Sequence, residues 1–406
     1  QGGAVLARTF DQDGRMASYM AGGKTWNVSY DLASQITSIA EAGNAGNART
    51  YGYDPLGRLI AATTPAGTSS EGEEWLAGPV TTVRNIRLLV RSLEEIAREG
   101  KPKLPKALLP SMDGVVRVEV FPSDTIDGLT MAGLTATVRM QKGLSPEQVR
   151  ARQASFYGKG DPQGGVSLVL GAGNVASIPP MDALYKMFVD GNVCLVKLNP
   201  VNEYLEEHLD KAFAPLVERG YLRFVKGGTE VGTYLVSHPE VDDVHITGSD
   251  RTFDLIVWGP PGEERERRKK ANDPVLKKPI SSELGSVTPV ILVPGAWSEK
   301  ELQYVAECIA TMVTNNASCN CNAGKMLVTS KSWPQREDFL RRVRDVLRSV
   351  PSRKAYYPGA HERYQGFLDH YAGAEKLTEG GKDIVPWTRS QRIAVRADIG
   401  VQHLMA

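Results

Sequence analysis

Between Gly165 and Ser330 short apolar runs alternate with amphipathic helical patterns. Candidate strands lie at 166–170, 192–197, 221–225, 243–247 and 289–293. Between two of them, Glu203–Arg219 places Leu205, Leu209, Phe213 and Leu216 at helical spacing. Strands separated by helices of this size are not joined as hairpins. They are joined by crossovers, which predicts βαβ units and a parallel sheet. A further helical pattern over Arg336–Val350 puts Phe339, Val343, Val346, Leu347 and Val350 on one side.

Upstream, Val83, Ile86, Leu89, Val90, Leu93 and Ile96 recur at helical spacing, and Gly100 follows as a stop. Two strand-like stretches come next, Val115–Phe121 and Leu134–Met140. Residues 1–70 differ from all of this, being rich in Gly, Ala, Thr and Ser. Thr9-Phe-Asp11, Ser29-Tyr-Asp31 and Gly52-Tyr-Asp54 recur roughly every 20 residues. In the fullest copy, Tyr51-Gly-Tyr-Asp-Pro-Leu-Gly-Arg-Leu59, a turn-forming Asp54-Pro55 and Gly57 separate two extended stretches. Each copy predicts a strand, a turn and a strand. The segment resembles the YD (Rhs-type) repeats of bacterial surface proteins and secreted toxins. Its composition also fits a remnant with no function of its own. Thr68-Ser-Ser-Glu-Gly-Glu-Glu74 has linker composition.

The 406 residues predict roughly two to three domains. With 41% hydrophobic and 23% charged residues the chain carries enough apolar surface for a large core. A net charge of +1 gives no support for nucleic-acid or membrane-surface binding. No apolar run reaches about 18 residues, so no membrane span is expected. Cys194, Cys308, Cys319 and Cys321 lack a disulfide-framework spacing, which fits a reducing, cytoplasmic compartment. Cys319-Asn-Cys321 supplies only two close ligands and no His at a usable spacing, so no metal is expected. The start at Gln1, with no basic or apolar leader, suggests a fragment of a longer sequence.

The chemistry centres on Asn315-Asn-Ala-Ser-Cys-Asn-Cys-Asn-Ala-Gly-Lys325. An apolar helical pattern precedes this turn, and a strand pattern, Met326–Thr329, follows it. A thiol on such a turn is placed to attack a carbonyl, provided the surroundings favour its thiolate. The alternative for any cysteine is a small buried apolar residue. Glu283, 38 residues upstream in Ser-Ser-Glu-Leu-Gly, is a candidate base. The mixed charge run Glu263–Lys270 reads as a solvated helical face. Gly171-Ala-Gly-Asn-Val-Ala176 fits a loose Gly-x-Gly-x-x-Ala dinucleotide pattern, but no acidic residue follows at the ribose-binding spacing.

Four segments, in order, resemble the aldehyde dehydrogenase superfamily over about residues 75–388. They are Gly191-Asn-Val-Cys-Leu-Val-Lys197, Asp243-Val-His-Ile-Thr-Gly-Ser249, Ser282-Glu-Leu-Gly285 and Cys319-Asn-Cys-Asn-Ala-Gly324. The resemblance implies doubly wound α/β domains, here preceded by the short β-repeat segment. It implies Cys321 as the nucleophile, chosen over Cys319 by alignment on Ala323-Gly324, and Glu283 as the activator of water. Asn174, 23 residues before Lys197, takes the position of the oxyanion-binding asparagine. Lys197 would bind the adenosine ribose, and Gly248 and Ser249 would lie beside the pyrophosphate of NAD or NADP. Three residues after Lys197 stands Pro200, where NAD-preferring relatives commonly carry a glutamate, so NADP is tolerable. The partner implied is a small-molecule aldehyde, and the assembly implied is a homo-oligomer.

The match also breaks in places. Cys319 stands where the family usually has Gln, and no Glu-x-Phe-Gly-Pro segment is found between Lys325 and Ala406. The expectation is a C-terminally truncated relative, divided as 1–70 repeat fragment, 71–285 N-terminal and cofactor-binding region, 286–388 partial catalytic domain and 389–406 unassigned tail. The function expected is NAD(P)-dependent oxidation of an aldehyde to a carboxylic acid through a cysteine thioester. Release of the acyl group to coenzyme A, as in an acylating dehydrogenase or acyl-CoA reductase, is the second enzymatic reading. A secreted or surface YD-repeat protein with appended cargo, or an inactive chimera, is the reading from another class.

Overall fold

The computed structural model describes residues 8–13, 15–21, 24–30, 36–53, 59–63, 70–104, 109–110, 114–158, 160, 162–350, 356–371, 373–377 and 387–388. The chain divides into two compact units. The first comprises Gln1–Gly78, Asn174–Ala176 and Leu284–Ala406; the second comprises Pro79–Gly173 and Ser177–Glu283.

The first unit begins with six strands in sequential order, β1 (Arg8–Phe10), β2 (Met16–Ala21), β3 (Lys24–Tyr30), β4 (Ile36–Glu41), β5 (Asn44–Tyr53) and β6 (Leu59–Thr63). All neighbours pair antiparallel. The strand–turn–strand period of the repeats therefore joins into one meander. The turn residues Asp31 and Asp54–Gly57 lie outside the described residues. The stretch with linker composition behaves differently from its sequence reading, because α1 (Ser70–Trp75) is helical. Its Glu73 carboxylate accepts from Asn315 and Asn316, so a contact distant in sequence overrides local composition.

The second unit opens with α2 (Thr81–Glu99), which ends where Gly100 adopts φ 75° and donates its N–H to the Ile96 carbonyl. That left-handed cap is what the glycine stop predicted. Next come β7 (Leu109–Pro110), β8 (Val116–Phe121), α3 (Thr125–Thr130), β9 (Ala136–Arg139) and α4 (Pro146–Arg152). The start of α3 is fixed by Asp127, whose carboxylate accepts from Arg84 at 2.7 Å and from Ser123 N–H at 2.9 Å. Together with the Ser123 hydroxyl, these donors lower its pKa to about 2.

The core of this unit is a five-stranded sheet ordered β12-β11-β10-β13-β14. Its strands and helices are β10 (Val166–Leu170), α5 (Ile178–Phe188), β11 (Val193–Lys197), α6 (Glu206–Ala212), α7 (Ala214–Val217), β12 (Leu222–Val225), α8 (Thr229–Ser237), β13 (Asp243–Gly248), α9 (Asp250–Trp258), α10 (Glu263–Ala271) and β14 (Ile280–Leu284). β10 pairs parallel with both β11 and β13, and β11 pairs parallel with β12. Adjacent residues of β10 face opposite ways. Val169 packs with Ala183 and Leu184 of α5 and Leu209 of α6, whereas Leu168 packs with Val236 of α8. The sheet is thus covered by helices on both faces, as doubly wound α/β architecture requires.

Glu203–Arg219 is not one helix. A 3₁₀ turn over Pro200–Leu205 precedes α6, and the path breaks at Phe213 (φ −107°, ψ 19°) before α7. Pro215 has no N–H for a continuous ladder, so the apolar spacing survives while the hydrogen bonding is interrupted. The charge run forms α10, with acidic residues in its first turn and basic residues in its last, and no buried residue.

The first unit resumes with β15 (Thr288–Leu292), α11 (Glu299–Thr314), β16 (Gly324–Thr329), α12 (Arg336–Ser349), α13 (Ala360–His370), β17 (Ala374–Glu375) and β18 (Trp387–Thr388). β15 and β16 pair parallel, and α11 and α12 cover them through Leu302, Ala306, Ile309, Phe339 and Val343. Among the described residues, no helix is long and apolar enough to cross a membrane.

Replacing Asp127 by Asn tests the tie at α3. The folded pKa of Asp127 is depressed, so its stabilisation is present above the unfolded value of 3.8 and is lost as pH falls through about 2. Denaturant unfolding is expected to show a less stable variant at pH 7, with the gap to the parent closing between about pH 4 and pH 2.

Candidate active site

The cysteine turn is built by helix α11 running into a short left-handed turn. α11 starts with a capping box, in which Ser298 and Glu301 satisfy each other's backbone N–H groups. At its end Asn316, Ala317 and Ser318 have φ of 51°, 50° and 63°. Asparagine tolerates this region. For alanine and serine it costs on the order of 1–2 kcal/mol per residue. Three such residues in a row persist only if neighbouring contacts hold them.

A chain of side-chain amides does so. Asn315 Nδ2 donates to Glu73 Oε1 at 3.1 Å, and the Asn316 backbone N–H donates to Glu73 Oε2 at 3.1 Å. Asn320 Nδ2 donates to Asn315 Oδ1 at 2.6 Å, and Asn316 Nδ2 donates to Asn320 Oδ1 at 3.0 Å. Asn316 Nδ2 also donates to the Asn174 carbonyl at 2.7 Å. The Tyr356 hydroxyl lies 2.8 Å from Asn316 Oδ1 and 3.2 Å from the Asn174 carbonyl. Lys325 Nζ donates to the Ser318 carbonyl at 2.5 Å and to Ser318 Oγ at 2.6 Å. The Cys319 thiol donates to the Ala317 carbonyl at 3.6 Å, so each of the three left-handed residues is held by a side chain.

Asn174 reaches the same turn. Its Nδ2 donates to the Cys319 carbonyl at 2.8 Å, two residues before Cys321. On the far side of the thiol, Ser286 N–H and Ser286 Oγ donate to the Cys321 carbonyl at 3.3 and 3.0 Å. Two of the residues singled out in the sequence, Asn174 and Cys321, thus belong to one hydrogen-bonded loop. Glu283 lies in the second unit, exposed near the end of β14.

The four cysteines are thiols in unlike settings. Burial, reinforced by Asp243, pushes Cys194 up to about 12. Burial also pushes the Cys319 thiol up, against the opposing pull of Lys325, Tyr356 and Arg363. Burial drives the Lys325 ammonium down and the Tyr356 phenol up. Cys321 is half-buried.

Within the second unit the carboxyl ends of the strands gather the cofactor candidates. The chain order reverses between β10 and β13, and ligands of open α/β sheets bind at such a switch point. Lys197 ends β11. It is 9% exposed, and burial lowers its pKa while Glu203 and Glu230 raise it. Gly171 and Gly173 allow close packing after β10. A Cβ on Gly171 would come within 3.0 Å of Pro179, and one on Gly173 within 2.6 Å of Asn199. Gly248 ends β13, and Ser249 is the N-cap of α9, its Oγ accepting from Thr252 N–H at 3.1 Å. A lysine with little solvent contact, a glycine turn and a helix N-terminus together suit the hydroxyls and phosphates of a nicotinamide dinucleotide.

A sequence profile of the Aldehyde dehydrogenase family matches residues 126–361, more than half of the chain. The chain belongs to the aldehyde dehydrogenase family. Residues 30–69 match the RHS Repeat. This aldehyde dehydrogenase relative is 26% identical over 221 residues to the 1-pyrroline-5-carboxylate dehydrogenase of Bacillus pumilus (strain SAFR-032). It is likewise 26% identical over 218 residues to the 1-pyrroline-5-carboxylate dehydrogenase 2 of Bacillus subtilis (strain 168). These matches take in 50% and 49% of the chain and 38% of each relative. Among solved structures, a Mycobacterium tuberculosis aldehyde dehydrogenase complexed with NAD+ aligns with TM-score 0.46 and 15% identity, over 79% of this chain and 55% of that one. AldH of Staphylococcus aureus aligns with TM-score 0.46 and 14% identity, over 78% and 57%.

The sequence did not single out Glu73, Asn315, Asn316, Asn320, Lys325 or Tyr356. Asn316 did carry a local signal, since asparagine is enriched at positive φ. Glu73 and Tyr356 carried none, because their roles depend on chain segments far from the turn.

The thiol settings predict an order of reactivity. Limited alkylation at neutral pH with peptide mapping is expected to modify Cys321 first, Cys319 more slowly and Cys194 only after unfolding. Faster modification of Cys319 or Cys194 than of Cys321 would contradict the account.

Proposed function

We propose that this chain oxidises an aldehyde through a covalent intermediate on Cys321, using NAD or NADP. The observation that carries the reading is the bond from Asn174 to the cysteine turn, which anchors a side-chain amide beside the nucleophile's loop. In this reading the Cys321 thiolate attacks the aldehyde carbon, forming a sulfur–carbon bond and an oxyanion. Asn174 and backbone N–H groups donate to that oxyanion, where preorganised donors act on developing charge. A nicotinamide held by Lys197, Gly248 and Ser249 would supply the hydride acceptor for the same carbon. The product on the protein is a thioester at Cys321. Glu283 takes a proton from water, the hydroxyl adds to the thioester carbonyl, and the sulfur leaves with the carboxylic acid released.

Lys197, Gly248 and Ser249 are assigned to the ribose and pyrophosphate of the cofactor. Pro200, three residues beyond Lys197, carries no carboxylate to repel a 2′-phosphate, which leaves both cofactors acceptable. Residues 71–285 would serve the cofactor, and residues 286–388 the covalent chemistry. A cytoplasmic setting suits four cysteines held as thiols. Two relatives are named for 1-pyrroline-5-carboxylate, which makes that compound a first substrate to assay.

The test is turnover with NAD+ and NADP+, monitored as reduced cofactor, with product analysis in the presence and absence of coenzyme A. Free acid in both cases is expected. Product appearing only as the coenzyme A thioester would assign the acylating reaction instead. Asn174→Ala is expected to lower kcat by about 10²–10³-fold. Unchanged kcat in that variant would remove Asn174 from the oxyanion role.

A further inference from the structure

A second hydrogen-bonded constellation lies in the second unit and is built from residues other than those assigned to the thiol chemistry. His245 of β13 points to the same sheet face as Thr247, two residues along the strand. Its Nδ1 lies 2.8 Å from Ser281 Oγ on neighbouring β14. Its Nε2 lies 3.2 Å from Thr247 Oγ1 and 3.4 Å from Asp182 Oδ2 on α5.

The network fixes the tautomer. Thr247 Oγ1 donates its one proton to Asp182 Oδ2 at 3.0 Å. Toward His245 the threonine oxygen can then only accept, and the carboxylate can only accept. A bare Nε2 would face two acceptors with no proton between them. In the neutral ring the proton therefore sits on Nε2, and Nδ1 presents its lone pair to Ser281. The serine hydroxyl must donate to it. Lys186, one turn further along α5, is occupied by Asp243 at 2.8 Å and Asp190 at 3.1 Å. The Asp182 charge thus remains available to orient and stabilise the imidazole.

A hydroxyl hydrogen-bonded to a base that a third group orients is the arrangement of an activated nucleophile, whichever ring nitrogen faces the hydroxyl. Ser281 is exposed, and His245 and Asp182 are 18% and 19% exposed, so a small molecule has access to the hydroxyl. Glu283 lies two residues further along β14 and shares its face, which disfavours anionic substrates.

We propose that Ser281, His245 and Asp182 form a second nucleophilic site that hydrolyses small neutral acyl esters. Ser281 Oγ bonds to the ester carbonyl carbon while its proton moves to His245 Nδ1. The carbon–alkoxy bond breaks, and the alcohol leaves with that proton. Water then adds to the acyl-serine, giving its proton to Nδ1, and the proton returns to Ser281 as the carboxylic acid departs. The net reaction is ester plus water to acid plus alcohol, with no redox change and no use of Cys321.

The direct test treats the full chain with a fluorophosphonate probe at neutral pH and maps the adduct by peptide mass spectrometry. The expected result is an adduct on Ser281, formed about 10²-fold more slowly in His245→Gln. Asp182→Asn should also slow it, and serves as the second variant if His245→Gln fails to keep the parent's circular dichroism and melting transition. No adduct on Ser281 in the folded parent overturns the proposal. So does an adduct whose rate is the same in a folded variant, because the serine would then owe nothing to its neighbours.

Discussion

The hydrogen bond from the Asn174 side chain to the Cys319 carbonyl joins two segments 145 residues apart. One is the turn after the first strand of the parallel sheet; the other is the turn after α11. Asn174–Ala176 pack with the cysteine turn rather than with the strand that leads to them. The covalent chemistry proposed for Cys321 depends on this tie, because an oxyanion donor is useful only when it is held before the charge forms.

The tie alone does not hold the turn. Ala317 and Ser318 sit in a backbone region that chirality disfavours, and the cost over the turn is a few kcal/mol, roughly. Each neutral hydrogen bond contributes only about 1 kcal/mol net. The run from Glu73 through Asn315, Asn320 and Asn316 to Asn174 supplies several, and its ionised end at Glu73 is the strongest acceptor among them. Removing one member leaves donors or acceptors unsatisfied on its neighbours, so the network acts as a unit. Lys325 closes it on the other side through Ser318. Asparagine suits this loop in two ways: Asn316 tolerates the left-handed conformation, and the amides of Asn315, Asn316 and Asn320 satisfy each other.

Much of this was legible in the sequence, and for physical reasons. The strand at 166–170 was visible because strands buried on both faces need largely apolar runs, and its Leu168 and Val169 do pack against helices on opposite faces. The end of α2 was visible because Gly100 is the residue that a left-handed cap requires. The loops of Cys321 and Asn174 stood out by their motifs, and one hydrogen bond joins those loops. The break at Phe213 was hidden because apolar spacing reports which face is buried, not whether the hydrogen-bond ladder is continuous. Glu73 was hidden because a glutamate in a Ser-Gly-Glu stretch reads as solvent-exposed until its distant partners are known. The Ser281–His245–Asp182 group was hidden for the same reason, since its members come from two strands and a helix.

The most direct measurement is to mix the chain with an aldehyde and NAD+ or NADP+, quench with acid within the first turnover, and locate the added mass by peptide sequencing. The account predicts an acyl group on the sulfur of Cys321, with one equivalent of reduced cofactor formed per adduct. Reduced cofactor without any acyl-cysteine, or an adduct confined to Cys319, would contradict it.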